Sequence, residues 1–282
     1  MLLNKYSYIL DKIINTPLQK TPFNFLYIEN FFSDEHFNQI INSEQIKLPE
    51  YKNTESMING ILESGYSPVE FPGCTTSVKE YLDWHENNKK IKYHNDDLLE
   101  GFGMSMRMHT YKSKILNEIV DFLNTEEFKI VCMEKFNKSG NVKIETAIQK
   151  YLSGYEISPH PDIRKKCLTY MVNINPHKDE TLSTHFMKFK DDKKIINKYW
   201  EENPLVDRCW VPWDWCTTEF SQTKNNTITM FAPTNDTIHA IKLDYDHTKY
   251  QRTQIYGNTW YKESFVNKRG NWKDLQKNVL NV

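Results

Sequence analysis

The chain has 282 residues, 39% of them hydrophobic and 13% aromatic, enough for one substantial buried core and unlike a disordered or fibrous protein. Lysine and arginine number 36 against 37 aspartate and glutamate, so no net field draws the chain to a phosphate backbone and no nucleic-acid partner is expected. Apolar runs are short, and Met1 to Asn15 interleaves Lys5, Asp11 and Lys12 with leucine and isoleucine. That pattern fits neither a signal peptide nor a membrane span, so the expectation is a cytoplasmic protein with no membrane partner.

Leu3, Tyr6, Ile9, Leu10, Ile13 and Ile14 recur at near-helical spacing and predict a first amphipathic helix, ended by Pro17 and Pro22. Phe23 to Phe32 alternates as a short strand, and Ser33 is placed to cap a second helix through Phe37, Ile40 and Ile41. From Pro49 to about Gly103 no period persists, which predicts loops with short helices. Ser113 to Phe122 brings Ile115, Ile119, Val120 and Phe122 to one side, as in a helix lying across a sheet.

The second half is strand-like. Val142 to Tyr151, Leu168 to Ile174, His185 to Phe189, Thr227 to Phe231, Ile238 to Leu243 and Thr253 to Tyr261 are β-prone runs separated by turn residues. Lys198 to Gln222 holds Trp200, Trp210, Trp213 and Trp215 with Pro204 and Pro212, and reads as an irregular segment: either a wall of a substrate entrance or packing over one end of a sheet. These elements predict an α+β fold with a sandwich or jelly-roll core and the helices of the N-terminal half packed on its outside. A single domain spanning 1–282 is expected, with a helical and strand layer at 1–141, the core at 142–262 and a tail at 263–282. The five cysteines, Cys74, Cys132, Cys167, Cys209 and Cys216, are scattered without a CxxC pair and are expected as unpaired thiols.

The chemistry-bearing pattern is His160-Pro161-Asp162. As a string it is weak, because His94-Asn95-Asp96 and His177-Lys178-Asp179 match it equally. Context separates the three. A redox-active iron that must also take a bidentate oxoacid and O2 needs three protein ligands on one face of its octahedron. Residues i and i+2 of an extended chain point to the same side, so a histidine and an aspartate at a strand end grip one ion while another histidine arrives from a distant strand. His160 lies between two strand-like runs, and His239 sits in Thr237-Ile238-His239-Ala240-Ile241 after the turn Ala232 to Asp236. His94 lies in a polar, loop-like stretch; His177 and Asp179 follow Pro176 in a turn and stand as the alternative pair. Arg252, 13 positions after His239, opens the last β-prone run, where a hairpin would return it beside the metal to take the far carboxylate of 2-oxoglutarate; alone, it reads as a surface salt bridge.

Together these residues resemble the 2-oxoglutarate/Fe(II) dioxygenase superfamily, especially its prolyl-hydroxylase-like branch. The similarity runs through Pro22 to Ser33, the Tyr151-Leu152-Ser153-Gly154 lead into His160-Pro161-Asp162, and Leu168 to Asn175, covering roughly residues 22–43 and 142–262. It implies a double-stranded β-helix (jelly roll, cupin-like) core. His160, Asp162 and His239 would be metal ligands and catalytic residues, Arg252 would hold the oxoacid, and Tyr151 and Asn173 would contact it. The sequence departs from the family where Leu182-Ser183-Thr184-His185-Phe186 replaces the usual glycine pair, and where Gln254 stands two after Arg252. The implied activity is an Fe(II)- and O2-dependent hydroxylase that decarboxylates 2-oxoglutarate to succinate while oxidising a C–H bond of a small-molecule or peptide substrate, with peptidyl-prolyl-type and small-molecule hydroxylation both open. The contrasting expectation is a non-catalytic jelly-roll module holding a metal or a sugar, for which His185 would be the residue to close the site.

Overall fold

The computed structural model describes residues 2–71, 74–87, 103–177, 182–263 and 266–280. Helix α1 (Leu2–Asn15) buries Tyr6, Ile9 and Ile13, one side of the predicted stripe. Strand β1 (Phe25–Glu29) leads into α2 (Asp34–Ile41), where the Ser33 hydroxyl accepts the His36 amide at 3.3 Å, the expected cap. The stretch expected as loops with short helices holds two such helices, α3 (Thr54–Glu63) and α4 (Val78–Asn87), and an unexpected strand β2 (Tyr66–Pro68); β3 (Ser105–Met108) follows it. Asn53 and Ser56 close a reciprocal capping box on α3, a polar start signal that the scattered apolar residues around it obscured. Helices α5 (Lys114–Leu123) and α6 (Glu126–Lys135) follow.

The strands continue with β4 (Val142–Tyr151), β5 (Glu156–His160), β6 (Lys166–Asn173) and β7 (Thr184–Phe189). Then come α7 (Ile195–Glu202), β8 (Cys216–Gln222), β9 (Thr227–Phe231), β10 (His239–Lys242), β11 (Arg252–Tyr261) and α8 (Trp272–Asn278). The tryptophan segment is therefore not irregular throughout. Ile196 and Trp200, four apart, face inward on α7, while β8 is a polar edge strand whose middle residues are exposed, so its sequence lacks an apolar alternation. Strand β5 was hidden by Pro159, which cannot donate to a ladder and instead accepts the Val211 amide through its carbonyl at 2.8 Å. The region expected as a tail carries α8.

Two antiparallel sheets form, one of seven strands in the order β1-β9-β6-β11-β4-β3-β2 and one of four in the order β5-β10-β7-β8. From β4 to β11 the chain alternates between the sheets, except that β7 and β8 share the smaller one. The large sheet is apolar on both faces, with different partners on each. Leu168, Tyr170, Val172, Ile148 and Ile255 pack with residues of α1, α3 and α5 in the largest core cluster. Met171 and Tyr256 point the other way, joining Phe186 and Phe231 between the sheets. The period of two along β11 thus puts Arg252, Gln254 and Tyr256 on the inter-sheet face. Gly257, on the helix side, has Tyr170 lying over it; a Cβ there would fall 2.0 Å from Tyr170 Cζ. None of the five cysteines forms a disulfide. Among the described residues no helix is long and apolar enough to cross a membrane.

Lys150 is fully buried on the helix side of β4, donating to the Ile46 carbonyl at 2.8 Å and to Thr253 Oγ1 at 3.1 Å. Burial pushes its pKa down to about 7 from 10.5. The unfolded chain binds a proton there that the folded chain sheds, so this group costs stability at neutral pH and the cost fades as pH rises between the two values. The melting temperature is expected to rise from about pH 7 to about pH 9 through this group, and the Lys150→Met variant to lose that part of the rise in a pH series of thermal melts.

Candidate metal and oxoacid site

His160 ends β5 and His239 opens β10, and the two are direct partners across the antiparallel ladder, with ring centroids 4.4 Å apart. Asp162 lies two residues beyond His160. Its Oδ1 is 4.0 Å from His160 Nε2 and its Oδ2 is 4.0 Å from His239 Nε2. One ligand atom from each of the three residues lies within 4.8 Å of the others. Each imidazole bonds a carbonyl two residues earlier through Nδ1, His160 to Ser158 at 2.8 Å and His239 to Thr237 at 3.0 Å. Only an N–H can make that bond, so Nδ1 carries the proton and Nε2 presents its lone pair to the centre.

The protonation states suit cation binding. Burial, reinforced by the neighbouring His239, pushes the His160 pKa down to about 3, and burial also lowers that of His239. Both rings are neutral at ordinary pH, so the 4.0 Å contacts are not ion pairs and a metal would displace no proton from them. Asp162 is 4% exposed. Burial alone would raise its pKa, but the Lys166 ammonium outweighs that and holds the carboxyl below its usual range. Lys166 Nζ donates to Asp162 Oδ1 at 2.6 Å and to the Tyr256 hydroxyl at 2.8 Å, and Thr169 Oγ1 donates to Asp162 Oδ2 at 2.5 Å. Both carboxylate oxygens are thus fixed.

These ligands open onto a cavity of about 550 Å³ between the sheets. Arg252 enters it from the first position of β11, fully buried, with its guanidinium carbon 5.2 Å from the ring centre of Tyr151, its partner on β4. Its Nε donates to the Leu182 carbonyl at 3.3 Å and its Nη2 to Thr184 Oγ1 at 2.8 Å, while Nη1 has no partner among the described residues. A buried guanidinium with one unmet donor and no carboxylate of a described residue against it suits an anion.

The structure brings together His160, Asp162, His239, Arg252 and Tyr151 at the cavity. Asn173 stands behind it, accepting from Gln254 Nε2 at 2.7 Å and donating to the Lys224 carbonyl at 3.1 Å; Gln254 is the residue that lines the cavity. His185 uses its ring nitrogens on Ser183 Oγ at 3.3 Å and Thr218 Oγ1 at 3.4 Å, away from the triad. His177 packs against Tyr250, with ring centroids 5.2 Å apart, while Asp179, His94 and Asp96 lie outside the described residues. Sequence reasoning missed Lys166, Thr169 and Thr184. A usable signal existed for the first two: they are polar residues among the apolar Cys167, Leu168, Tyr170 and Met171 of a fully buried strand, placed to satisfy a buried carboxylate.

No protein-family model matches the chain, and no curated protein matches it in sequence. Among solved structures the chain is similar to a Pseudomonas putida prolyl-4-hydroxylase, at 6% identity over 91% of this chain and 99% of that one, with a TM-score of 0.46. It is also similar to a Trichoplax adhaerens prolyl hydroxylase in complex with a hypoxia inducible factor oxygen degradation domain peptide fragment, at 11% identity over 92% and 91% with a TM-score of 0.45. A further similarity is to HygX from Streptomyces hygroscopicus with nickel and 2-oxoglutarate bound, at 9% identity over 92% and 87% with a TM-score of 0.38. At such identities and scores, the functional reading rests on the site itself.

Replacing Asp162 by alanine would strand the Lys166 ammonium in a buried position and is expected to destabilise the metal-free protein by about 3–5 kcal/mol. Thr169→Val, which removes one hydrogen bond to the carboxylate, is expected to cost about 1.5–3 kcal/mol. Urea denaturation in the presence of chelator measures both.

Proposed function

We propose that the protein is an Fe(II)- and 2-oxoglutarate-dependent oxygenase, a dioxygenase of hydroxylase type. The observation that carries this is the shared cavity: two neutral imidazoles and a carboxylate converge on one point, and a buried arginine with an unmet donor faces the same space. Two nitrogens and one oxygen from three residues suit an iron with positions left for other ligands, and no fourth histidine, cysteine or carboxylate joins the group among the described residues. The alternation of β4 to β11 between the two sheets supports a double-stranded β-helix core, the expected jelly roll, within a single domain.

His160, Asp162 and His239 would hold the iron, and Arg252, with Thr184 beside it, would take the far carboxylate of the oxoacid. A ferrous ion so placed, with 2-oxoglutarate as co-substrate, supplies oxidation of a C–H bond by O2, the oxoacid leaving as succinate and CO2. The protein's own contribution is positional and electrostatic. Ser158 and Thr237 carbonyls fix the tautomers of the two histidines, and Lys166 and Thr169 orient the Asp162 carboxylate. Tyr151 covers the Arg252 guanidinium, and the apolar walls from Ile157, Met171 and Ile241 exclude water from the reacting space. Asn173 supports the site through Gln254. The non-catalytic module loses its main support because His185 is engaged elsewhere.

Protein loaded anaerobically with iron and then exposed to O2 is expected to form succinate from 2-oxoglutarate, and His160→Ala to abolish it. Arg252→Met is expected to raise the KM for 2-oxoglutarate by about tenfold or more, the size of one lost charge-assisted bidentate contact. Failure of both iron and 2-oxoglutarate to bind the wild-type protein would sink the proposal.

A further inference from the structure

One wall of the cavity is built by two chain segments that the oxygenase reading leaves unused. Residues 207–210 run past the end of β5, fixed by the Val211 amide on the Pro159 carbonyl, and Trp210 stands against the ligand His160 with ring centroids 6.0 Å apart. Residues 266–269 lie beside them through a short parallel bridge between Val206 and Lys268. Arg208 is 6% exposed and lines the cavity. Its guanidinium makes no hydrogen bond or ion pair with any described residue, and its Nε is buried without a partner. Asp207 attracts it but forms no ion pair with it: that carboxylate accepts the Arg164 and Arg208 backbone amides through Oδ1, at 2.9 and 3.0 Å.

The unmet polar atoms point to a ligand of one kind. Among the described residues, four cavity-lining side chains carry a buried polar atom without a partner: Arg208 Nε, Trp210 Nε1, Trp260 Nε1 and Arg252 Nη1. All four are N–H donors. The formal charges lean the same way, with Lys166, Arg208, Arg252, Lys268 and Arg269 against Asp162 and Asp207. Lys166 is bound to Asp162, and Arg252 is taken by the oxoacid on the proposed reading. Arg208 and Arg269, the latter 5.0 Å from the Trp210 ring centre, are left with Lys268 to face Asp207. A buried guanidinium left unpaired is costly unless an anion meets it in the working complex.

Building on the oxygenase reading, we infer that the substrate to be oxidised carries a carboxylate or phosphate, and that Arg208 receives this anionic group in the part of the cavity that Trp210 borders. Arg208 is then a specificity-determining residue separate from the Arg252 oxoacid site: one cation for each anion in a single cavity. A planar guanidinium suits either oxyanion through paired N–H donors, and the indole rings supply area without taking up its charge.

The test is isothermal titration of benzoate, phenyl phosphate and neutral benzamide into protein saturated with zinc and 2-oxoglutarate, a state that binds without turning over. At least one of the two anions is expected to bind about tenfold or more tightly than benzamide, and whichever does so identifies the group taken. Arg208→Gln should remove that preference while leaving 2-oxoglutarate affinity unchanged. Arg208→Lys, which keeps the charge but not the fork, should retain a reduced preference and guards against a folding defect in the glutamine variant. Equal binding of all three probes, or a preference that survives Arg208→Gln, overturns the inference and leaves the oxygenase proposal standing. If zinc and 2-oxoglutarate themselves fail to bind the wild-type protein, both fall together.

Discussion

An ionised carboxylate is expensive to bury, and the site depends on how this chain meets that cost at Asp162. The ammonium of Lys166 and the hydroxyl of Thr169 each occupy one carboxylate oxygen, and both come from β6, the strand that follows the ligand pair. The ion pair fixes the aspartate against a rigid sheet instead of leaving it at the tip of a turn. Two histidines that stay neutral because they are buried complete a centre whose charge at rest is balanced within a few residues. A cation arriving there would find its ligands already deprotonated and oriented.

The same alternation that builds the sandwich distributes the chemistry. On β11 the residues of one parity face the cavity, beginning with Arg252, while Ile255 and Gly257 face the helices. Strand β4 repeats the division: Tyr151 meets Arg252, and Lys150 beside it is driven under the helical layer, where no carboxylate of a described residue pairs with it. A one-residue slip between β4 and β11 would exchange these two environments, placing a lysine in the cavity and a tyrosine beneath the helices. Ten consecutive paired residues, from Arg252 with Tyr151 to Tyr261 with Val142, hold that register.

Much of this could be read from residues alone, for a physical reason. Strands with one buried run, such as Thr227 to Phe231, announce themselves, and the His160-Pro161-Asp162 triplet between two of them with His239 on a third has few geometries open to it. What escaped was structure without an apolar signature. Strand β8 is an exposed edge, β5 is broken in pattern by Pro159, and α3, a short helix of the kind expected, has its start marked only by a polar capping box. At the site, Lys166 and Thr169 were legible only as oddities within an apolar run, because a residue that serves a buried carboxylate is known by its partner. Asn173, expected by resemblance to contact the oxoacid, lies on β6 and stands one side chain back from the cavity.

One wall of the cavity is formed by two stretches of irregular chain, 207–210 and 266–269, joined to each other by a short bridge between Val206 and Lys268. His160, His239 and Arg252 sit on strands in the body of the sandwich, and Asp162 follows two residues beyond the end of β5. On the proposed reading, reactivity and molecular choice are written on different parts of the polypeptide. Changes in the irregular wall would redirect such a protein to another molecule at little cost to the sheet, while strands that carry the reaction would have almost no freedom to vary.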